Sequence, residues 1–415
     1  WLPSADEARG PDRGSRKDSG SAASTVGRGL AHHIAKIFCC CTQPPMPLSS
    51  LVRQLQEAAL TGELLERSRR PDRLLMRGAG RGCRALVASA MAQRDKRPLL
   101  VVVPTLEEAG RWTALLELRG WSTTPLYPTS EGSPYEPFDP TSEIVWGQLQ
   151  VLSDLIAAPS QANRAIVATE RCLQPHLPPA KALSERCRIL RRGDQVNLED
   201  LGETLARLGY ERVSSIDQEG TWSRRGDIVD VFPVSSELPV RLEFFGEELD
   251  KLREFDPASQ RSLDPIDQLQ LTPTGFSPLI ADALRERMPE GLDRLLQEQE
   301  VDLLLDGGTP EGMRRLMGLA WQEPASLLDY LGEDCFVVID ERRHGLAHGQ
   351  QWLDHAREHH NEIAAERGLN DRDRDRLWPG LLHRDIEEAF GAAEGFKGFD
   401  LGVLLEEDSH PYSFD

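Results

Sequence analysis

Three observations predict an α/β fold: a strand-helix alternation that begins at Arg73, uninterrupted Val/Leu runs such as Leu99–Val103, and a change near Cys187 to short strands with turn signals. A continuous apolar run suits a parallel strand buried on both faces, and repeated βα units build a doubly wound sheet. The later strands predict a compact antiparallel α+β module inserted between two halves of that sheet domain.

Taken in order, residues 1–45 begin with Trp1 and are rich in Gly, Ser and Arg, so they are expected to be a disordered or non-native extension. A targeting peptide is the alternative reading, disfavoured by Asp6, Glu7, Asp12 and Asp18. Met46 opens an amphipathic helix over Ser49 to Glu66. The α/β unit then runs to 186 through RLLM, a glycine loop, RALVASAMAQ, RPLLVVVPT, a helix over Glu107 to Leu118, STTPLYP, a helix over Ser142 to Ala157 and RAIVATE. The inserted module spans 187–273, with one helix over Asn197 to Leu208 and strands in YERVSSI, GTWSRRGDIVDVFPV, LPVRLEFFGEELDKLREFD and QLQLTP. Residues 274–345 complete the α/β domain. Residues 346–415 are read as a charged helix to Glu366, a charge-rich linker over Asn370 to Arg376 and the start of a further domain.

The bulk composition limits the function classes. Of 415 residues, 39% are hydrophobic and 28% charged, which is globular composition. A net charge of −20 argues against a surface built mainly to hold a phosphate backbone. No run reaches the roughly 18 apolar residues of a membrane helix. Cys39, Cys40 and Cys41 adjoin one another, while Cys83, Cys172, Cys187 and Cys335 are scattered without metal-ligand spacing, which predicts a reducing, cytoplasmic setting without disulfides.

The stretch MRGAGRGCRAL, Met76 to Leu86, lies where a phosphate-binding loop would stand, after a strand and before a helix. A working loop needs a lysine for the phosphate oxygens and a hydroxyl for Mg²⁺. Gly78, Gly80 and Gly82 are present, but Cys83 holds the lysine position, Arg84 the hydroxyl position and Arg77 the first glycine position. The loop is therefore degenerate. Cys335–Glu341 ends an apolar strand in Asp340 and Glu341, the form of a Walker B element, here expected to be vestigial; ordinary strand-end caps are the alternative.

In Val240–Phe245, alternation sends Val240, Leu242 and Phe244 to a core and Arg241, Glu243 and Phe245 to the other face. The neighbouring strand alternates Ile228, Asp230 and Phe232 with Asp227, Val229 and Val231, and Arg225 stands at its start. A Phe set among charges has the composition of a protein-binding hot spot. The competing reading is that Phe245 closes the strand end against the next hairpin. His355, His359 and His360 include an i, i+4 pair that could hold zinc, but no third ligand is placed, and a solvated helix face is expected instead. No nucleophile-base or paired-carboxylate constellation suggests catalysis, so no catalytic or metal residue is assigned.

The stretch GTWSRRGDIVDVFPVSSELPVRLEFFGEELDKLREFDPASQRSL, together with LYPTSEGSPYEPFDPTSEIVWGQLQVLSDL and the terminal LEEDSHPYSFD, resembles the UvrB-like N-terminal region of the bacterial transcription-repair coupling factor family, and the first stretch also resembles domain 2 of UvrB. The resemblance covers about residues 48 to 345. It implies a degenerate P-loop NTPase-like (RecA-like) sheet domain carrying a UvrA-docking module. It also implies a part in transcription-coupled nucleotide excision repair, with Arg225, Arg241 and Phe245 matching the UvrA-contacting positions. It further implies no cofactor and no enzymatic activity in this region, since ATP and Mg²⁺ belong to the family's separate translocase motor. RNA polymerase and double-stranded DNA would be partners of the full-length family, with no membrane. A UvrB-type ATP-dependent repair helicase is the alternative. It departs from this sequence at Cys83 and Arg84, and "SPYEPFDP" is too short for UvrB's damage-probing hairpin.

Overall fold

A computed structural model describes residues 47–402 except 69–73, 137, 139, 293–294 and 383, and except the side chains of 377–381. The expectations for residues 1–45, including Cys39 to Cys41, and for the terminal LEEDSHPYSFD lie outside the described residues. The strands are β1 Leu74–Arg77, β2 Leu99–Val103, β3 Leu126–Tyr127, β4 Ala165–Thr169, β5 Arg188–Arg191, β6 Glu211–Arg212, β7 Thr221–Arg225, β8 Ile228–Phe232, β9 Val240–Phe245, β10 Glu248–Phe255, β11 Ser262–Pro265, β12 Gln268–Leu271, β13 Phe336–Asp340 and β14 Lys397–Gly402.

Six of these form one sheet in the order β1-β14-β13-β2-β4-β3, with every neighbouring pair parallel. Strands β2, β4 and β13 are buried along their whole length, as their apolar runs require. Period-two alternation divides their side chains between two cores. Leu100, Val102, Ile166, Ala168, Val337 and Ile339 enter one, beneath helices Ser142–Ala157, Ser277–Arg287 and Arg342–Glu366. Leu99, Val101, Val103, Ala165, Val167 and Val338 enter the other, beneath Arg81–Arg94 and Leu106–Glu117, whose Trp112 is fully buried. The second helix starts where Thr105 accepts the amide of Glu108 at 3.3 Å, within one residue of its sequence-predicted start.

Three readings need adjusting. The helix expected over Ser49 to Glu66 is two helices, Leu48–Glu57 and Ala59–Arg67, because Ala58 is extended at φ −64°, ψ 138°. The charge-rich segment expected as a linker forms the helix Asp371–Leu382. Finally, a boundary at 345 cuts the α/β domain, for β14 lies inside the sheet between β1 and β13, with Phe399 beside both Leu74 and Val338. Its segment, KGFDLG, is short and carries two glycines, so no continuous apolar run announces it.

The inserted module has its own core and a six-stranded mixed sheet in the order β11-β10-β9-β8-β7-β6. Asn197 caps its helix Leu198–Arg207 by accepting the amides of Glu199 at 2.8 Å and Asp200 at 3.2 Å. The antiparallel ladder of β5 with β12 joins the strands by which the chain enters and leaves the module, pairing Arg188 with Leu271 and Arg191 with Gln268. The insertion thus closes on itself. No helix among the described residues is long and apolar enough to cross a membrane, and the four described cysteines are free.

Two predictions follow from this packing. Phe399 is fully buried and stands edge-on to Phe336 with ring centroids 5.7 Å apart. Phe399→Ala is expected to lower the unfolding free energy by about 3 to 5 kcal/mol in a urea titration; a wild-type midpoint would place β14 outside the sheet. His176 is buried with Nε2 2.6 Å from the Tyr127 hydroxyl and Nδ1 2.7 Å from the Gln174 carbonyl. Burial, with repulsion from Arg314, lowers its pKa to about 3 from 6.5. The imidazole is neutral when folded, so its contribution is complete above about pH 6.5 and is lost as pH falls toward 3, because the unfolded chain takes up the proton first. Urea midpoints are expected to drop between pH 7 and pH 5, with a shallower drop in His176→Gln.

Candidate functional site

The glycine loop and the strand-end carboxylates do meet. Gly78, at φ +79°, turns the chain out of β1, and Gly80 precedes the first turn of helix Arg81–Arg94. Arg84, in the first turn of that helix, reaches back across the end of β13. Its Nη1 lies 2.5 Å from Asp340 Oδ1 and 2.6 Å from Glu341 Oε1, while Nε donates to the Ala79 carbonyl at 2.7 Å. The second oxygen of Asp340 accepts Trp112 Nε1 at 2.7 Å. Both oxygens of Asp340 are therefore occupied by the protein's own donors. Burial opposes the Arg84 charge, but attraction to Asp340 and Glu341 outweighs it and raises the group's hold on its proton above the ordinary value.

Chemically, the two strand-end carboxylates are balanced by a guanidinium fixed to the helix. The neighbouring backbone is strained as well, since Glu341 is a non-glycine residue at φ +52° whose amide donates to the Leu401 carbonyl of β14 at 2.9 Å. Cys83 is half-buried and its thiol is free of any disulfide. A Cβ at Gly80 or Gly82 would meet nothing within 4 Å, so packing does not require these two glycines.

On the module, the alternation read from the sequence is realised side chain by side chain. Val240, Leu242 and Phe244 enter the core with Val229 and Val231. Arg241 lies on the opposite face, directly across from Asp230, with Glu243 across from Ile228 and Ile228 across from Arg225. Two tight turns, with Gly226 and Gly246 both at φ +65°, bring the β7–β8 and β9–β10 connections to one end of the sheet. At that end Phe245 is 83% exposed, the most exposed large apolar side chain among the described residues. Its ring is not sealed against the next hairpin. Ile228, 38% exposed, adds a second apolar side chain to the same face, and the pair Lys251–Glu243, 3.5 Å apart, borders it.

The two arginines behave differently. Arg225 is exposed and uses Nη2 to hold the Ser214 carbonyl at 2.9 Å. Arg241 has a side chain only 19% exposed, and its fork is filled: Nε is 2.7 Å and Nη2 2.9 Å from the two oxygens of buried Asp230. This bidentate pair strengthens its hold on the proton. Its guanidinium also covers the ring of Phe255 at 4.8 Å, over the small cluster of Ile216, Phe232 and Phe255. Alternation along each strand does not reveal Asp230 as the partner of Arg241; the pairing is set by the cross-strand register.

The histidines do not form the expected solvated face. His355 is exposed and His359 half-buried, but His360 is buried edge-on to Tyr135, with ring centroids 4.9 Å apart. Burial lowers its pKa to about 4. Among the described residues no group of three or more His, Cys, Asp or Glu is placed to hold a metal ion.

The UvrB interaction domain family matches residues 189–275, the span enclosed by the β5–β12 ladder. Three transcription-repair-coupling factors are among the similar proteins: that of Mycobacterium tuberculosis, 31% identical over 312 residues, that of Bacillus subtilis, 26% over 289, and that of Escherichia coli K12, 26% over 281. The alignments cover 71%, 64% and 64% of this chain but 25%, 24% and 23% of those proteins. The chain thus spans about a quarter of the length of the relatives it matches.

Arg84→Ala would leave Asp340 and Glu341 without their cation in a buried setting. It is expected to cost about 3 kcal/mol or more of stability, read from urea unfolding, with part of the loss restored by adding Asp340→Asn. An Arg84→Ala protein with an unchanged midpoint would mean the ion cluster contributes nothing.

Proposed function

We propose that this chain, which is homologous to the N-terminal region of transcription-repair-coupling factor and includes a UvrB interaction domain, acts in transcription-coupled nucleotide excision repair as a non-catalytic platform that recruits UvrA to stalled RNA polymerase. The observation that carries the reading is Phe245, an aromatic ring held almost wholly in solvent at the end of a rigid sheet, inside the matched domain. Leaving a Phe in water forgoes about 2 kcal/mol of burial that a partner's pocket would recover. Arg225 and Ile228 flank it on the same face and supply a cation and a second apolar contact.

In this reading Arg241 acts chiefly through Asp230: the pair neutralises a buried carboxylate and stiffens the ladder that presents Phe245. The phosphate loop contributes structure only. ATP and Mg²⁺ would serve a motor elsewhere in the full-length protein, which would also contact double-stranded DNA. The Arg84 cluster disfavours the alternative of a UvrB-type helicase, because Asp340 is already saturated by Arg84 and Trp112.

Immobilised chain is expected to capture purified UvrA, and Phe245→Ala to weaken capture by about tenfold or more. The unfolding midpoint should stay unchanged, since the ring packs in no core. Undiminished capture by folded Phe245→Ala would exclude this face. No heat is expected on titrating MgATP into the chain; micromolar affinity would favour the helicase reading instead.

A further inference from the structure

A second polar cluster lies at the carboxyl edge of the parallel sheet, in the 3₁₀ turn Glu170–Leu173 that follows β4. Arg171 there is 4% exposed, and its guanidinium covers the Trp352 ring with Cζ 3.1 Å from the centroid. Its Nε and Nη1 are buried and hydrogen-bond to nothing. Buried cations are normally matched by an acceptor, because an unmatched one keeps its full desolvation cost. Glu170, next to it in sequence, attracts the guanidinium but makes no hydrogen bond to it, and directs Oε1 to His348 Nδ1 at 2.5 Å. Burial, reinforced by repulsion from Arg314, pushes the Arg171 pKa down to about 9.

Arg171 opens onto a cavity of about 210 Å³, which it lines together with Glu131, His348, Gln351, Trp352 and His355. The last four follow i, i+3, i+4, i+7 spacing on helix Arg342–Glu366 and so share one face. That helix sits close to the turn because Gly345 and Gly349 face Glu170; a Cβ there would lie 3.7 and 3.6 Å from it and would clash with Phe390 and Ile386. The volume exceeds the roughly 30 Å³ of a water molecule and falls short of the about 300 Å³ of a pocket for a drug-sized ligand. We infer that this cavity is a binding site for one phosphate-sized oxyanion, received by the Arg171 guanidinium with Gln351 and His355 as further donors. The site is separate from the Arg84 cluster and does not depend on the repair function. Glu131, exposed at the rim, opposes the anion and limits its affinity.

The test is calorimetric titration of inorganic phosphate into the whole chain at ionic strength held constant with chloride. One site is expected. Arg171→Gln should weaken it by about tenfold or more, the equivalent of one charge-assisted contact. His355→Ala, at an exposed position that leaves the core intact, should weaken it several-fold. Glu131→Gln should tighten it, an effect of opposite sign that a purely structural role for this turn would not produce. Competition by AMP would identify a nucleotide's terminal phosphate as an admissible source, and its failure would restrict the site to the free ion. The absence of phosphate binding above the chloride control overturns the proposal, as does binding that ignores both Glu131→Gln and His355→Ala.

Discussion

Strands β1 and β2 are consecutive in the chain yet separated by two other strands in the sheet, and everything else in the α/β domain depends on filling that gap. The filling comes from β13 and β14, which arrive more than 200 residues later, after the inserted module has been completed. Until they dock, Leu74 and Leu99 have open edges facing each other across an unformed centre. Non-local strand pairing of this kind carries loop-closure entropy before any contact rewards it. The β5–β12 ladder reduces that burden by tying off the insertion at its base, so that the module's length hardly enters the distance between the two halves.

The Arg84 cluster is the polar counterpart of this closure. One guanidinium joins the helix that follows β1 to the end of β13, and Trp112, from the helix that follows β2, donates to the same aspartate. Segments from three parts of the chain therefore converge on Asp340. Without that guanidinium, Asp340 and Glu341 would be left as adjoining, mutually repelling carboxylates at the carboxyl edge of the sheet. A fixed arginine restores the balance within the chain.

What could be read from the sequence follows the range of the physics involved. The strands β2, β4 and β13 are legible because burial on both faces demands an unbroken apolar run, a local property. The division of β9 into Val240, Leu242 and Phe244 against Arg241, Glu243 and Phe245 is legible for the same reason, since period two needs no knowledge of neighbours. Register is not local. Asp230 opposite Arg241, Arg84 on Asp340 and β14 between β1 and β13 are pairings across the fold, and no spacing along the chain encodes them. His360 escapes a local reading for a related reason: its immediate neighbours in sequence are polar, but Tyr135, more than 200 residues earlier in the chain, covers it within the same core.

The same distinction separates the two arginines of the proposed docking face. A guanidinium already engaged by both oxygens of a buried carboxylate has little left to give a partner, because breaking that pair would strand Asp230 in an apolar setting. Its value is mechanical: Asp230 and Arg241 cross-link β8 to β9 at mid-strand, so the hairpin ends beyond them hold their positions. Phe245 lies four residues along from Arg241 on the same face, at the end of a strand that is fixed before any partner arrives. A side chain ordered in advance loses little further entropy on binding. In the proposed recruitment the ion pair and the exposed ring are thus parts of one device, in which the polar contact would supply rigidity and the apolar one affinity.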